Sequence, residues 1–231
     1  MKRETELRIK RILDDYLPPV FRESRFLEFL VGRVIWRGSH KRTEGFREKV
    51  WAWDDQQLNV LYQVLDAESS HQRSTDLNAQ TVDAIIEQIC SGNVLEVGCG
   101  RAFLANRLVS EGFDVTASDI VAPNSCEARF VSASATELPF EDNFFVNVIC
   151  AHTLEHIPDF QRALRELRRV CSGRLIVVLP RERPLRWGPN LHVHFFPHIW
   201  SLYAYFEPSR TTNVFDYGDW MIVEDQRSFA D

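Results

Sequence analysis

A glycine turn between a mostly apolar run and a helical pattern is the clearest chemical signal in the sequence. Val94–Val97 forms the run, Gly98-Cys99-Gly100 follows at once, and an amphipathic segment begins at Ala102. Glycines at such a turn let the backbone bend sharply and approach a ligand at the carboxyl edge of a parallel sheet. Asp119 stands 21 residues after Gly98, at the end of the next predicted strand, where a carboxylate can accept hydrogen bonds from ribose hydroxyls. The spacing predicts a site for an adenosine-type cofactor.

Two residues beside the turn separate the candidate cofactors. A dinucleotide-binding turn carries a third glycine, in the pattern Gly-x-Gly-x-x-Gly, but Phe103 occupies that position here. Glu96 precedes the turn by two residues, and a carboxylate is unfavourable beside a pyrophosphate and favourable beside an ammonium or sulfonium group. The sequence therefore favours a sulfonium cofactor, with an NAD-dependent dehydrogenase as a less favoured alternative.

The segment from His152 to His156 spells His-x-x-Glu-His, which is the inverted zinc-peptidase pattern. That pattern requires a continuous helix, so that both imidazoles lie on one face. Here the preceding residues predict a buried strand, and Pro158 disfavours the helical conformation at Ile157. We therefore predict no zinc-peptidase site.

Histidines are concentrated late in the chain, where five of the seven lie between residues 152 and 198. They follow the predicted fourth and fifth strands, whose loops should face one another. Three interpretations remain open: partly buried structural histidines, an acid–base role toward a substrate, and metal binding, for which no ligand is assigned. The five are His152, His156, His192, His194 and His198.

From Asn93 onward, short apolar runs alternate with helical patterns, which predicts a doubly wound, mostly parallel α/β sheet. Near-continuous apolar runs such as Leu175–Leu179 suit strands that are buried on both faces. Thr212–Phe215 and Trp220–Val223 flank a turn-forming segment and predict a closing hairpin, which we expect to be short.

The N-terminal segment differs from the rest in charge. Residues 1–50 hold 13 basic and 8 acidic residues, whereas the whole chain of 231 residues carries a net charge of −6. We predict a basic helical extension over 1–70 and a cofactor-binding domain over 71–231. Residues 20–37 interleave aromatic residues with arginines, which fits a helix folded over the domain or one lying on a membrane surface.

Composition excludes several classes of protein. The five cysteines are isolated from one another, which indicates reduced thiols, and no apolar run is long enough to cross a membrane. No signal-peptide pattern opens the sequence, so we expect a cytoplasmic protein that is peripheral to the inner membrane face if residues 20–37 bind lipid. The acidic body offers no basic stripe for a phosphate backbone, so we expect no nucleic-acid partner.

The ordered motifs resemble those of class I S-adenosylmethionine-dependent methyltransferases, in particular the small-molecule subgroup related to the ubiquinone and menaquinone enzymes. The likeness covers roughly residues 77–200. It is carried by residues 96–100, Asp119, the stretch 135–145, the stretch 154–159 and the strand ending at Pro180.

The resemblance implies a Rossmann-like seven-stranded sheet and assigns roles to its matching residues. Glu96 is expected to reach the cofactor's ammonium group, the glycine turn its methionine and ribose, and Asp119 its ribose. The full set of implied cofactor-binding residues is Glu96, Gly98, Cys99, Gly100, Asp119, Ile120, Ser134, Ala135, Thr136, Ala151 and His152.

Two positions depart from the family pattern. Ser134 stands near the place of an acid that contacts the adenine amino group, and Val146 stands in place of an aspartate at the head of the fourth strand. These departures predict weaker adenine binding, and they motivate the alternative of a module that binds the cofactor without catalysis.

The implied activity is transfer of the cofactor's methyl group, in line with the carbon–sulfur bond, to a small molecule such as a sugar or a lipid-linked intermediate. A hydroxyl acceptor needs a base near neutral pKa, and the candidates are His156, His192 and His194. Glu155 is expected either to orient His156 or to cap the helix that follows Pro158. A nucleic-acid methyltransferase is a less favoured alternative, and the oligomeric state is left open.

Overall fold

The computed structural model describes residues 16–27, 29, 46–53, 56–58, 60–61, 74–184, 191–207 and 211–226. In the N-terminal part these include helices α1 (Pro19–Arg22) and α2 (Phe46–Lys49) and a 3-10 turn at Val50–Ala52. Much of the helical extension predicted over residues 1–70 lies outside the described residues, as does the part of segment 20–37 beyond residue 29.

A seven-stranded sheet forms the centre of the rest of the chain, in the spatial order β3-β2-β1-β4-β5-β7-β6. Strands β1 to β5 pair in parallel, whereas β7 runs antiparallel to both of its neighbours. This arrangement confirms the predicted doubly wound fold. The strands are β1 (Val94–Val97), β2 (Val115–Asp119), β3 (Arg129–Ser132), β4 (Phe145–Ala151), β5 (Cys171–Pro180), β6 (Thr212–Asp216) and β7 (Asp219–Asp225).

Helices cover both faces of the sheet, because alternate residues of its central strands point to opposite sides. On one face Leu95 and Val148 pack with the apolar side of α5 (Phe160–Val170). On the other face Val94 and Ile149 pack with α3 (Ala79–Gln88) and α4 (Phe103–Ser110). A last short helix, α6 (Ile199–Leu202), precedes the closing hairpin.

The closing hairpin is longer than the sequence indicated. Strand β7 pairs with β5 over seven positions, from Pro180 opposite Asp219 to Arg174 opposite Asp225. The apolar run alone does not mark this length, because β7 begins and ends with acidic residues. Glu224 is nevertheless buried, and its carboxylate accepts two hydrogen bonds from the Arg168 guanidinium of α5, at 2.6 and 2.8 Å.

The expectation that Val146 weakens adenine binding was wrong, because of where the residue lies. Val146 is the second residue of β4, at the amino end of the strand, whereas the cofactor edge follows Ala151 at the other end. A β-carbon added to Gly92 or to Gly173 would collide with Val146, so these two glycines pack closely around it. Val146 therefore fills the opposite edge of the sheet from the predicted site.

Within the described ranges, no helix is both long and apolar enough to cross a membrane.

Candidate active site

A cavity of about 450 Å³ lies at the carboxyl edge of the sheet, where the loops after β1 and β4 meet. It brings together six of the residues predicted to bind the cofactor: Glu96, Gly98, Cys99, Gly100, Ala151 and His152. Seven further residues also line it: Ser74, Thr75, Asp76, Leu77, Arg101, Phe103 and Leu104.

The segment before α3 contributes four lining residues that the sequence analysis did not assign. Ser74 to Leu77 lie just ahead of Asn78, whose side chain caps α3 by accepting a hydrogen bond from the Thr81 amide at 2.9 Å. The sequence feature that could have indicated these residues is the polar stretch directly before the first helix of the domain. That feature does not by itself show that residues 74–77 line the cavity.

The glycine turn has the backbone that the sequence predicted. Gly98 and Gly100 both lie in the left-handed region, with φ of 76° and 51°. A β-carbon on Gly98 would overlap the Thr153 side chain, whereas one on Gly100 would meet nothing within 4 Å. The turn therefore packs directly against the loop after β4 through Gly98 and stays open at Gly100.

Glu96 is a buried acid facing the cavity, with 4% of its surface exposed. Within the described part of the chain its Oε2 atom has no hydrogen-bond partner. Burial raises the pKa of Glu96 to about 8, the Ala105 backbone amide opposes that rise, and the charge of Asp119 adds to it. An unsatisfied buried carboxyl beside a cavity fits a cationic ligand, and the ammonium of the expected cofactor is such a group.

Asp119 lies at the end of β2 and is anchored to the glycine turn. Its Oδ2 accepts a hydrogen bond from the Gly100 amide at 2.8 Å, and its Oδ1 accepts one from the Val121 amide at 3.1 Å. Asp119 and the adjoining Ile120 do not line the cavity itself. The carboxylate is thus fixed beside the turn, at the strand end that the resemblance assigns to the ribose.

The predicted adenine-side residues form a polar turn next to Asp119. The Ala133 amide donates to the Asp119 carbonyl at 3.0 Å, which places the turn after β3 beside the end of β2. The hydroxyls of Ser134 and Thr136 are hydrogen-bonded at 2.7 Å, and Ala135 is buried. None of these three residues lines the cavity, so they extend the site along the strand ends rather than enclosing it.

His152 follows β4 directly, lines the cavity and has a left-handed backbone with φ of 51°. Its Nε2 lies 3.3 Å from Oδ2 of Asp219, the first residue of β7, and its Nδ1 lies 3.7 Å from Oε1 of Glu155. Burial by itself would lower the pKa of His152, but Asp219 and the charge of Glu155 outweigh it and raise that pKa.

Glu155 does not cap the following helix, because Asp159 does so by accepting a hydrogen bond from the Arg162 amide at 3.0 Å. Glu155 lies instead in a 3-10 turn (Leu154–His156) and is fully buried. Burial raises the pKa of the Glu155 carboxyl, against the lowering effect of His152 and His192. The turn also confirms that no continuous helix carries the His-x-x-Glu-His segment.

His156 and His192 pack edge to face, with ring centroids 4.6 Å apart. The Nδ1 atom of His156 donates to the Leu191 carbonyl at 3.3 Å, and that of His192 forms a short contact with the Glu182 carboxylate. Burial and the neighbouring His192 lower the pKa of His156 to about 3. His156 is therefore neutral at physiological pH and is a weak base.

His194 is held on both sides of its ring. Its Nε2 donates to the Ile157 carbonyl at 2.9 Å, and its Nδ1 accepts from the Tyr205 hydroxyl at 2.9 Å. Its ring packs against Phe160, and burial lowers the pKa of His194. This geometry does not support the predicted acid–base role, because both nitrogens are used within the fold.

Comparison with known proteins gives the family context. Residues 95–177 match the family described as a methyltransferase domain. The chain is 29% identical to the chloroplastic tocopherol O-methyltransferase of Arabidopsis thaliana, over 64% of this chain and 50% of that protein. It is 25% identical to the demethylmenaquinone methyltransferase of Bacillus cytotoxicus, over 64% of this chain and 70% of that one.

Among solved structures, a SAM-dependent methyltransferase from Methanosarcina mazei is 17% identical with a TM-score of 0.47, covering 65% of this chain and 98% of that chain. The match with the tocopherol enzyme spans only half of that protein's length.

Proposed function

We propose that this protein is an S-adenosylmethionine-dependent methyltransferase that methylates a small-molecule acceptor, because residues 95–177 match the methyltransferase-domain family. The single observation that carries the proposal is the buried Glu96 carboxyl, which lines the cavity and whose Oε2 atom has no hydrogen-bond partner in the described part of the chain. A pocket that holds an unsatisfied acid beside a glycine turn is suited to a cationic cofactor and unsuited to a pyrophosphate.

The cofactor supplies an activated methyl group together with its leaving group, so the protein's main tasks are binding and orientation. Glu96 would hold the ammonium group, the glycine turn would line the amino-acid part, and Asp119 would hold the ribose. The turn of Ser134, Ala135 and Thr136 would border the adenine. Holding two reactants in line contributes about 7–11 kcal/mol to lowering a barrier of this kind.

We assign the acid–base role to His152 rather than to His156, His192 or His194. Among these four only His152 lines the cavity. Asp219 lies 3.3 Å from its Nε2, which leaves Nδ1, 3.7 Å from the Glu155 carboxyl, as the nitrogen that would take up the proton of the acceptor. This pairing follows the general arrangement in which a buried carboxylate fixes the imidazole of a histidine base.

The acceptor class rests on the relatives. The names of the two relatives described above denote methyltransferases of tocopherol and of demethylmenaquinone, which are both small molecules. We extend this class to the present chain, including sugar and lipid-linked hydroxyl compounds.

The decisive experiment measures cofactor binding before activity. Calorimetric titration with S-adenosylmethionine should show binding, and titration with NADH should show none. Asp119→Ala should abolish the first signal, whereas Glu141→Gln, which changes an exposed acid, should leave it intact. Binding of NADH in place of S-adenosylmethionine would contradict the proposal.

Activity is then tested with labelled cofactor and a metabolite extract. Transfer of label to a small molecule supports the proposed methyltransferase activity. Binding without any transfer would select the alternative of a cofactor-binding module that lacks catalysis.

We also propose that residues 20–37 contact a membrane surface. In the described part of this segment Val20, Phe21, Phe26 and Phe29 each expose half or more of their surface, which is typical of an interfacial helix. Full-length protein should sediment with anionic vesicles at low salt, and Phe26→Ser should reduce the bound fraction. The matched control is Trp200→Ser, which changes a similarly exposed aromatic residue elsewhere. Equal losses of vesicle binding in both variants would contradict the proposal.

A further inference from the structure

Beside the cofactor cavity lies a cluster of one acid and two imidazoles that the proposed methyl transfer does not use. The Nε2 atoms of His156 and His192 each lie 3.9 Å from Oε1 of Glu155. The ligand atoms of the three residues all lie within 4.8 Å of one another. One carboxylate and two imidazoles converging on a point form a donor set typical of transition-metal sites.

The Glu155 carboxylate lacks the partners that a buried acid normally has. The side chain is fully buried, and neither carboxylate oxygen accepts a hydrogen bond from any residue that the structure describes. A buried polar group is costly unless it is paired. A carboxylate that accepts no hydrogen bond on either oxygen is therefore suited to hold a cation. A cation at the point faced by the two imidazoles would satisfy this carboxylate.

The outer hydrogen bonds of both histidines also suit metal binding. The Nδ1 atom of His156 donates to the Leu191 carbonyl, and that of His192 contacts the Glu182 carboxylate. These contacts fix the tautomer that leaves each Nε2 lone pair directed toward Glu155. Metal-binding histidines nearly always donate their second N–H to a carbonyl or a carboxylate in this way.

From this geometry we propose that Glu155, His156 and His192 bind one divalent transition-metal ion of the zinc class. Bonds of about 2.0–2.2 Å place the ligand atoms of a tetrahedral zinc site about 3.4 Å apart, so both 3.9 Å separations close by about 0.5 Å on binding. Imidazole nitrogens favour zinc, cobalt or iron over magnesium and calcium, which prefer oxygen ligands.

The site is placed to act on the acceptor. Three protein ligands leave a coordination position for water or for an acceptor oxygen, as in catalytic zinc sites. His152, which lines the cofactor cavity, has its Nδ1 only 3.7 Å from Oε1 of Glu155, so the ion would lie next to the His152 side of the cavity. This link to catalysis rests on the proposed function, whereas the metal site does not.

The test uses the full-length protein, stripped with a chelator and titrated with Co²⁺. We expect one equivalent to bind with the visible absorption of a four- or five-coordinate site, and Zn²⁺ to displace it. Glu182→Gln should weaken binding about 10–100-fold, as loss of an outer partner does, and Glu155→Gln and His192→Ala should weaken it further. His198→Ala is the matched control, since the His198 ring stacks on Trp200 outside the cluster, and it should bind Co²⁺ normally.

Absence of cobalt binding, or equal binding by the wild type and all variants, would contradict the proposed metal site. X-ray absorption spectroscopy on the zinc-loaded wild type identifies the ligands without any variant. Fewer than two imidazole ligands, or a sulfur ligand, would also contradict the proposal. Calorimetry with S-adenosylmethionine on the same samples separates the two proposals. Cobalt binding without cofactor binding upholds the metal site and refutes the proposed function, and the converse refutes the metal site alone.

Discussion

Glu96 shows how burial changes the proton affinity of an ordinary acid. Its carboxyl is 4% exposed and has a pKa raised to about 8, so in the unliganded protein it holds a proton at neutral pH. An adjacent ammonium favours the charged form and lowers that pKa again. We therefore expect cofactor binding to be coupled to release of this proton.

This coupling predicts a pH dependence of binding that belongs to Glu96. Between about pH 6 and pH 8 the affinity of the wild type for S-adenosylmethionine should rise relative to that of Glu96→Gln. The reason is that removing the Glu96 proton costs less free energy as the pH approaches its pKa. Calorimetry in buffers of different ionisation enthalpy measures the proton released. Equal proton release by the wild type and by the variant would contradict the prediction.

The raised pKa of Glu96 also determines how its contribution to the free energy of unfolding changes with pH. The folded protein keeps the proton up to about pH 8, whereas the unfolded chain loses it near the ordinary glutamate pKa of 4.5. Without cofactor, the contribution of Glu96 to the free energy of unfolding therefore falls as pH rises through this window. Glu96→Gln should remove that fall, as urea unfolding at several pH values would show.

His152 is the residue whose replacement best tests catalysis. His152→Asn should lower kcat about 10²–10⁴-fold, as loss of a general base does, while cofactor affinity changes little. Asparagine is the suitable replacement because it tolerates the left-handed φ of 51° at this position. Asp219→Asn should produce a loss of the same kind, and an unchanged kcat in both variants would exclude the assigned role.

At the scale of elements, the site depends on close packing between the loops after β1 and β4. The Thr153 hydroxyl donates to the Ala151 carbonyl at 3.1 Å, and its side chain occupies the space beside Gly98. The two loops therefore define one rigid wall of the cavity, and glycine is required at the contact for steric as well as conformational reasons.

Two alanine substitutions separate those reasons. Gly100→Ala should reduce the free energy of unfolding by about 1–2 kcal/mol, since its added methyl meets nothing and only the left-handed backbone is penalised. Gly98→Ala should cost more and should also abolish cofactor binding, because its methyl overlaps Thr153. Urea unfolding and calorimetry check both variants, and equal costs would mean that the steric contact is unimportant.

At the scale of the whole molecule, the cavity joins segments that are distant in sequence. Residues 74–77, the turn after β1 and the loop after β4 all line it, and β7 supplies Asp219 beside His152. A ligand bound there should stabilise all of them together. At 100 times its dissociation constant a ligand adds about 2.7 kcal/mol to the free energy of unfolding.

We therefore expect S-adenosylhomocysteine to raise the Tm of the full-length protein in a concentration-dependent way. Asp119→Ala should remove the shift, and NADH should produce none. A shift of similar size with NADH would indicate that the cavity does not distinguish the two cofactors.

The parts of this protein that the sequence determined are those specified by neighbouring residues. The Gly98–Gly100 turn between a buried strand and a helix, Glu96 before it and Asp119 at the next strand end are local features. Their roles follow from backbone conformation and from alternation within one βαβ unit. The parallel sheet was predictable for the same reason, because near-continuous apolar runs such as those of β4 and β5 alternate with helical patterns.

The tertiary structure alone decided the arrangement of the histidines. His152, Glu155 and His156 are close in sequence, but Glu182, His192 and Asp219 reach them from later loops and strands. Which ring nitrogen faces a carboxylate, and which faces a carbonyl, depends on that assembly. Burial sets the proton affinity of each group, and burial is a property of the packed fold rather than of spacing along the chain.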